Sequence, residues 1–262
     1  MALINVLKSL CEEAFFVSDI NHLIEVMKFQ GRYSIQVFFT LFCVVAVAQE
    51  ESVTGTPEDE FYREDQFYFG LNYDLLTDVP DAAATRGLIG GLQFGFIRDW
   101  PITSQGNWAL GTGIGLAYDR YGQNIVVRSN SIGVPVWTVE QSPSAIETNS
   151  LQITALEFPL QIRWRTSDAK SYKFWRLYSG VKWSQNILAK TVYQGTEGSE
   201  TLTDLPGLNK GIWYATFAFG YGTFNAHLQW GLNPLLDQVI DSNTQDPIGL
   251  RPVKLGIVFY IL

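Results

Sequence analysis

Residues that carry redox, metal and nucleophilic chemistry are scarce in this chain. Its 262 residues hold two cysteines, two methionines and two histidines. Five of those six, Met1, Cys11, His22, Met27 and Cys43, fall within residues 1–48. Beyond Ala48 there is no cysteine and a single histidine, His227, which excludes a disulfide, a thiol nucleophile and a Cys/His metal centre there. Long apolar runs are missing as well. After Ala48 none reaches the roughly 20 residues of a membrane-spanning helix, so a membrane could be crossed only with strands. Basic charge is in deficit too. Removing the three basic and four acidic residues of 1–48 from the chain's 18 and 26 leaves 15 and 22, a net charge of −7. That field does not draw a protein onto nucleic acid.

Residues 1–48 read as lying outside the fold. Met27 opens a basic segment with Lys28 and Arg32, followed by an apolar run from Ile35 to Ala48 broken only by Gln36 and Thr40. The run ends Ala46-Val47-Ala48, which predicts a secretory signal peptide cleaved between Ala48 and Gln49. The run is too short for a spanning helix, and the 26 residues before Met27 read as an upstream extension, with Met27 the true start. Bulky Phe42 precedes Cys43 where a lipobox requires a small residue, which argues against lipidation. Residues 49–65 are an acidic lead-in, rich in Glu and Asp and expected to be solvated.

What fills the rest, residues 66–262, is alternation. In Leu156–Arg165 every even position is apolar (Leu156, Phe158, Leu160, Ile162, Trp164), and the odd positions are Glu157, Pro159, Gln161, Arg163 and Arg165. This is a strand with two unlike faces. The pattern recurs over about Gln66–Leu76, Arg86–Arg98, Asn107–Tyr121, Leu151–Arg165, Lys173–Asn186, Lys210–Tyr221, Thr223–Leu232 and Val253–Leu262. One face is aromatic and aliphatic, including Leu88, Phe94, Trp175 and Val253. The other carries glycines and charges. The run Gly111-Thr112-Gly113-Ile114-Gly115 lacks the spacing and the strand-to-helix transition of a nucleotide loop and reads as the crowded inner face of a small barrel.

The links alternate in length. Those at about 99–106, 166–172 and 222 are short; those at about 77–85, 122–150, 188–209 and 233–252 are longer. Outer-membrane barrels segregate short periplasmic turns from long outer loops in this way. The expectation is an all-β, eight-stranded antiparallel transmembrane barrel in the cell outer membrane, with both termini periplasmic. Within the longest link, Ile125–Arg128 and Val136–Glu140 are β-rich, so strands three and four are expected to extend beyond the membrane as a hairpin.

Eight ionisable side chains fall on the polar face: Asp74, Asp119, Glu157, Arg163, Arg176, Lys182, His227 and Lys254. An eight-stranded barrel has an interior just wide enough for its own side chains, so these are expected to pair as a structural polar network, with Glu157 beside Arg176 and Lys182. A catalytic reading would need His227 to meet a serine and an acid, yet it sits mid-strand with no local motif. No catalytic residue, cofactor or metal ligand is therefore assigned, and no small-molecule substrate is evident.

The segments Phe67–Tyr73, Gly90–Asp99, Gly111–Asp119 and Leu156–Leu160 together resemble the PorT family of outer-membrane barrels from Bacteroidetes-type bacteria. The likeness runs from Phe61 to Leu262. It implies an accessory role in protein secretion by a type IX secretion system, with outer-membrane lipid and other secretion-system proteins as partners, and it brings no catalytic residue. The alternative is a surface adhesion or ligand-binding barrel that works through its long loops.

Overall fold

A computed structural model describes residues 65–261 apart from 86, 88, 104, 105, 143, 145, 167–173, 197 and 204. The signal peptide, its Ala48–Gln49 cleavage point, nearly all of the acidic lead-in and the outward placing of Leu88 lie outside the described residues. Within them the chain forms β1 (Gln66–Thr77), β2 (Gly90–Pro101), β3 (Trp108–Gly122), β4 (Ile125–Ser129), β5 (Pro135–Val139), β6 (Ile146–Arg165), β7 (Trp175–Gly195), β8 (Gly198–Leu202), β9 (Gly211–Tyr221), β10 (Phe224–Gly231) and β11 (Arg251–Ile261). Eight of these make one antiparallel sheet in the order β6-β3-β2-β1-β11-β10-β9-β7, and β6 pairs with β7 to close it. The product is an eight-stranded barrel without an edge in its wall, which is what a sheet must become to cross lipid.

Alternation decides which face goes where. Phe69, Leu71, Leu92, Phe94, Ile114, Leu116, Leu160, Ile162, Phe217, Phe219, Leu255 and Ile257 all point outward and are exposed. A contiguous apolar belt of this extent is untenable in water and marks a lipid contact. Outward aromatics bound it. Trp100, Trp108, Trp164, Trp175 and Tyr221 lie near the short turns; Tyr73, Tyr118, Trp183, Trp213 and Trp230 lie toward the long connections. At about 3.3 Å per residue and a tilt of about 40°, Trp108 to Tyr118 spans roughly 25 Å, the height of a membrane apolar band. At the turn end, β9 and β10 are joined through Gly222 (φ 58°) and Thr223, with Tyr221 paired to Phe224. A two-residue hairpin loop demands positive φ, which glycine supplies at little cost.

Three departures from expectation have physical causes. First, β7 runs on to Gly195 instead of yielding to a loop at Leu188, and β6 begins at Ile146; the two strands are 21 and 20 residues long. That is about twice what a tilted strand needs to cross a bilayer, so the pair projects beyond it. Second, a bulge separates Thr154↔Leu188 from Ala155↔Asn186, leaving Ile187 as an extra residue. The extra residue reverses the parity of the faces: Tyr178, Lys182 and Ser184 point in before it, Thr191 and Tyr193 after it. Third, β4 and β5 do not prolong strands three and four; they form a separate two-stranded sheet. Asn124 turns the chain there, donating to Ala82 O and Glu140 O at 2.9 Å and accepting from Ala84 N at 2.6 Å.

Among the described residues the largest apolar core sits at the loop end. Tyr121, Ile125, Val127, Trp137, Val139, Leu151, Ile153, Leu205, Ile212, Tyr214, Leu235, Leu236, Val239, Ile248 and Leu250 pack together. They come from the rims of β3, β6 and β9 and from the connections around β4–β5, β8 and residues 232–250. The long connections therefore fold over the barrel as a cap. Trp137 Nε1 donates to Pro206 O at 2.9 Å, and Asp241 accepts from Val139 N at 3.2 Å.

Candidate functional site

The eight ionisable residues singled out from sequence are all buried, and register sorts them into three tiers. Nearest the turns, Asp99 accepts from Arg163 with one carboxylate oxygen and from Arg165 with the other. Arg163 also donates to Gln66 Oε1, and Arg165 Nε donates to Gly106 O at 3.0 Å. The Arg163 guanidinium lies 4.0 Å above the Tyr178 ring and 5.2 Å from that of Tyr260, a desolvated cation–π arrangement. Room for its stem exists because β3 carries glycine beside it: a Cβ on Gly111 would stand 2.6 Å from Arg163 Cδ. Arg176 belongs to this tier. It donates to Gly222 O and stacks on Phe174 at 4.4 Å.

In the middle tier Lys182 Nζ lies 2.6 Å from Glu157 Oε1 and also donates to Gln229 Oε1. Gln229 Nε2 donates to Gln93 Oε1 at 2.8 Å. His227 Nδ1 faces the amide nitrogens of Gln93 and Gln229 at 3.1 and 3.3 Å. Two donors aimed at Nδ1 make it an acceptor and place the neutral ring's proton on Nε2. Among the described residues no serine or carboxylate bonds to His227, so the nucleophile–base–acid geometry that a triad needs is not formed around it. Beside it a cavity of about 20 Å³ is lined by Tyr68, Glu157, Gln161, Thr216 and His227, among others, space for one water-sized molecule.

Toward the cap, Lys254 Nζ binds Asp119 Oδ2 at 2.5 Å, and Asp74 pairs across the strands with Lys254 in register. Lys182 and Lys254 flank the Tyr214 ring at 5.3 and 5.1 Å.

Two corrections follow. Glu157 meets Lys182 but not Arg176, because Arg176 registers with Arg165 at the turn end while Glu157 registers with Ser184. Sequence reading also passed over Asp99, Arg165 and Gln66, and left Gln93 and Gln229 out of the network. Asp99 had been placed in a turn, but β2 continues to Pro101. Its place was legible in the alternation: Gln93, Gly95, Ile97 and Asp99 share one face.

A closed wall, a lipid-facing belt, a filled polar interior and a folded cap define an outer-membrane-type β-barrel. The chain belongs to the outer membrane protein beta-barrel domain family, whose model matches residues 47–237. Solved structures similar to it include two crystal structures of Ail, the attachment invasion locus protein of Yersinia pestis. The first shares 9% identity over 75% of this chain and 97% of its own, with a TM-score of 0.32. The one in complex with the heparin analogue sucrose octasulfate shares 11% over 76% and 99%, with a TM-score of 0.33. No curated protein matches the chain in sequence.

Proposed function

We propose that this protein is a non-enzymatic, non-conducting outer-membrane barrel that works by contact with other proteins, as an accessory component of protein secretion. The observation that carries the reading is the occupied interior. The Asp99–Arg163–Arg165 cluster fills the turn end, the Lys182 network the middle, the Lys254–Asp119 pair the level beneath the cap, and the apolar cap the loop end. An interior so filled offers no path for a solute and no chamber for a substrate, so work is left to the surfaces. The resemblance to the PorT family makes components of a type IX secretion system the partner class. In this arrangement both termini and the short turns face the periplasm, and the cap faces outward.

The test is deletion of the gene with a census of secreted proteins, together with co-isolation of partners from the outer-membrane fraction. Loss of many exported proteins, restored by the full gene, supports the reading. Unchanged secretion overturns it.

A second reading, surface attachment, is favoured by the β4–β5 tip. Ile132 and Val134 are 80% and 48% exposed there. Asn130 Oδ1 holds the turn by accepting from Ile132 N at 3.1 Å and Val134 N at 2.9 Å. A rigid apolar knob in water is a contact element. Normal secretion with lost attachment to surfaces in the same deletion strain would assign the protein to this role.

A further inference from the structure

Two cations stand on the lipid-facing side of the wall without a counter-charge. Arg120 of β3, Gln152 of β6 and Lys190 of β7 lie in register across three neighbouring strands. All three follow the outward alternation. Tyr118, two residues before Arg120, is exposed, while the inward neighbours Tyr121, Leu151, Ile153 and Thr191 are buried. Arg120 is half-buried and Lys190 exposed. Their backbones stand roughly 10 Å apart, two strand spacings, on either side of Gln152. Both side chains are long enough to close on one group held between them.

Nothing in the surrounding wall neutralises the pair. The rows above and below, Gly122–Ser150–Val192 and Tyr118–Thr154–Leu188, carry no carboxylate. Among the described residues the ion pairs engage other cations: Arg163, Arg165, Lys182, Arg251 and Lys254. Arg120 Nε is withdrawn from solvent and has no hydrogen-bond partner. A guanidinium N–H so placed is costly unless an acceptor comes to it. The polar side chain between the cations is already oriented. Tyr118 OH donates to Gln152 Oε1 at 3.1 Å, and Gln152 Nε2 donates to Ser150 Oγ at 3.2 Å, which leaves the second amide hydrogen to offer.

Height identifies what the pair can meet. Tyr118 belongs to the aromatic girdle on the cap side. Arg120 lies two residues further, roughly 5 Å along the barrel axis at about 3.3 Å per residue and a tilt of about 40°. Headgroups occupy roughly 5–8 Å beyond the hydrocarbon on each side, so the cations sit at phosphate level. Just below, Ile187 and Leu188, 51 and 69% exposed, continue the apolar surface. A soluble anion gains nothing from that margin, whereas a lipid lays its chains on it.

We propose that Arg120 and Lys190, with the Gln152 amide between them, form a binding site for the phosphate of a lipid headgroup in the leaflet on the cap side. Arg120 supplies the planar fork that grips two phosphate oxygens, Lys190 a point charge and Gln152 a neutral donor. The acyl chains lie along Tyr118 and Leu188. That this leaflet is the outer one rests on the orientation proposed above; the site itself does not.

The experiment uses the intact protein purified from outer membranes in non-ionic detergent and freed of lipid by detergent exchange. Mixed micelles carry monophosphoryl lipid A, phosphatidylethanolamine or phosphatidylcholine, and native mass spectrometry counts the lipid bound. The wild type is expected to bind monophosphoryl lipid A saturably and the zwitterionic lipids about tenfold or more weakly. Arg120→Gln/Lys190→Gln should weaken lipid A binding by about tenfold or more, with Arg120→Lys falling between it and wild type. Arg98→Gln removes an outward arginine at the opposite rim, where Arg98 lies over Trp100 at 5.2 Å and faces Thr112 in register; its binding should match wild type. Heat-modifiable gel mobility confirms closure of each variant, and either single glutamine substitution serves should the double variant fail to close. Equal binding by the glutamine variants, no preference over the zwitterionic lipids, or an equal loss in Arg98→Gln overturns the proposal. Inorganic phosphate or heparin that displaces lipid A at equal molar concentration would make the ligand a soluble anion, and the lipid assignment would fall. Binding in micelles is independent of leaflet, so a failure of the site is told apart from a failure of the orientation, which protease access to the cap in intact cells reads.

Discussion

Lys182 of β7 holds Glu157 of β6 at 2.6 Å across the seam that closes the barrel, with both side chains withdrawn from solvent. They are not directly opposed: Pro159 faces Lys182 and Ser184 faces Glu157, so the lysine reaches diagonally along the inner wall. Removing one member leaves the other as an uncompensated buried charge. Lys182→Met is expected to destabilise the barrel by about 3–5 kcal/mol. The double variant Lys182→Met/Glu157→Gln should cost less than the single, since no charge is stranded. Urea unfolding in detergent micelles measures both. A single variant within about 1 kcal/mol of wild type would mean that the pair contributes no more than an exposed one.

Asp99 is the hinge of the turn-end cluster, because each of its two oxygens serves a different arginine. Asp99→Ala removes the shared carboxylate from two buried guanidinium groups at once. Arg165→Met leaves Asp99 paired with Arg163. The expected order of loss is Asp99→Ala greater than Arg165→Met, with the former at least about 3–5 kcal/mol. Equal losses would show that the cluster does not act through the shared carboxylate.

These residues show what the sequence made legible. Period-2 alternation placed Glu157, Lys182 and Arg163 on the inner wall because side-chain direction in a strand is a local property. It could not say that Lys182 rather than Arg176 meets Glu157, since register between strands depends on the whole closed sheet. Asp99 was missed at a strand end, where periodicity fades. The cap was missed because its apolar residues, such as Leu205, Leu235 and Ile248, follow no period and converge only through non-local folding. Ile187 explains why β7 was cut short: one inserted residue flips the pattern, and alternation read straight through it looks broken.

Tyr68 of β1 lies along the inner wall over Gly95 of β2, which registers with it, and reaches β3, where Gly115 makes way for its hydroxyl. A Cβ at residue 115 would collide with the Tyr68 hydroxyl oxygen and stand 2.9 Å from Phe94 O. Gly115→Ala is expected to cost about 1–3 kcal/mol by overpacking. Shortening the tyrosine in Gly115→Ala/Tyr68→Leu should recover part of that loss, giving a coupling that a double-mutant cycle reads out. Strict additivity would show that the clash is with the backbone alone.

Plugging makes an electrical prediction. In planar bilayers the purified protein is expected to add no steady conductance, because charged and aromatic side chains fill the interior and the cap covers one mouth. Reproducible single-channel steps from the wild type would remove the premise that the interior is closed.

The cap and the barrel are stabilised by different physics, so they should be separable. The barrel wall is held by a closed ladder and by lipid on its outer face. The cap is held by apolar burial, with Trp137 in its midst at 3% exposure. Trp137→Ala deletes a large buried ring and its bond to Pro206 O, a loss of about 3–5 kcal/mol that falls on the cap. The barrel ladder does not pass through β5, which among the described strands pairs with β4 alone. The variant is therefore expected to keep the heat-modifiable gel mobility of a closed barrel while its connections at 123–145 and 232–250 become open to added protease. Protection equal to wild type would show that the connections hold their places without the apolar core. Loss of the mobility shift would show that cap and barrel fold as one cooperative unit, with the cap a requirement for closure.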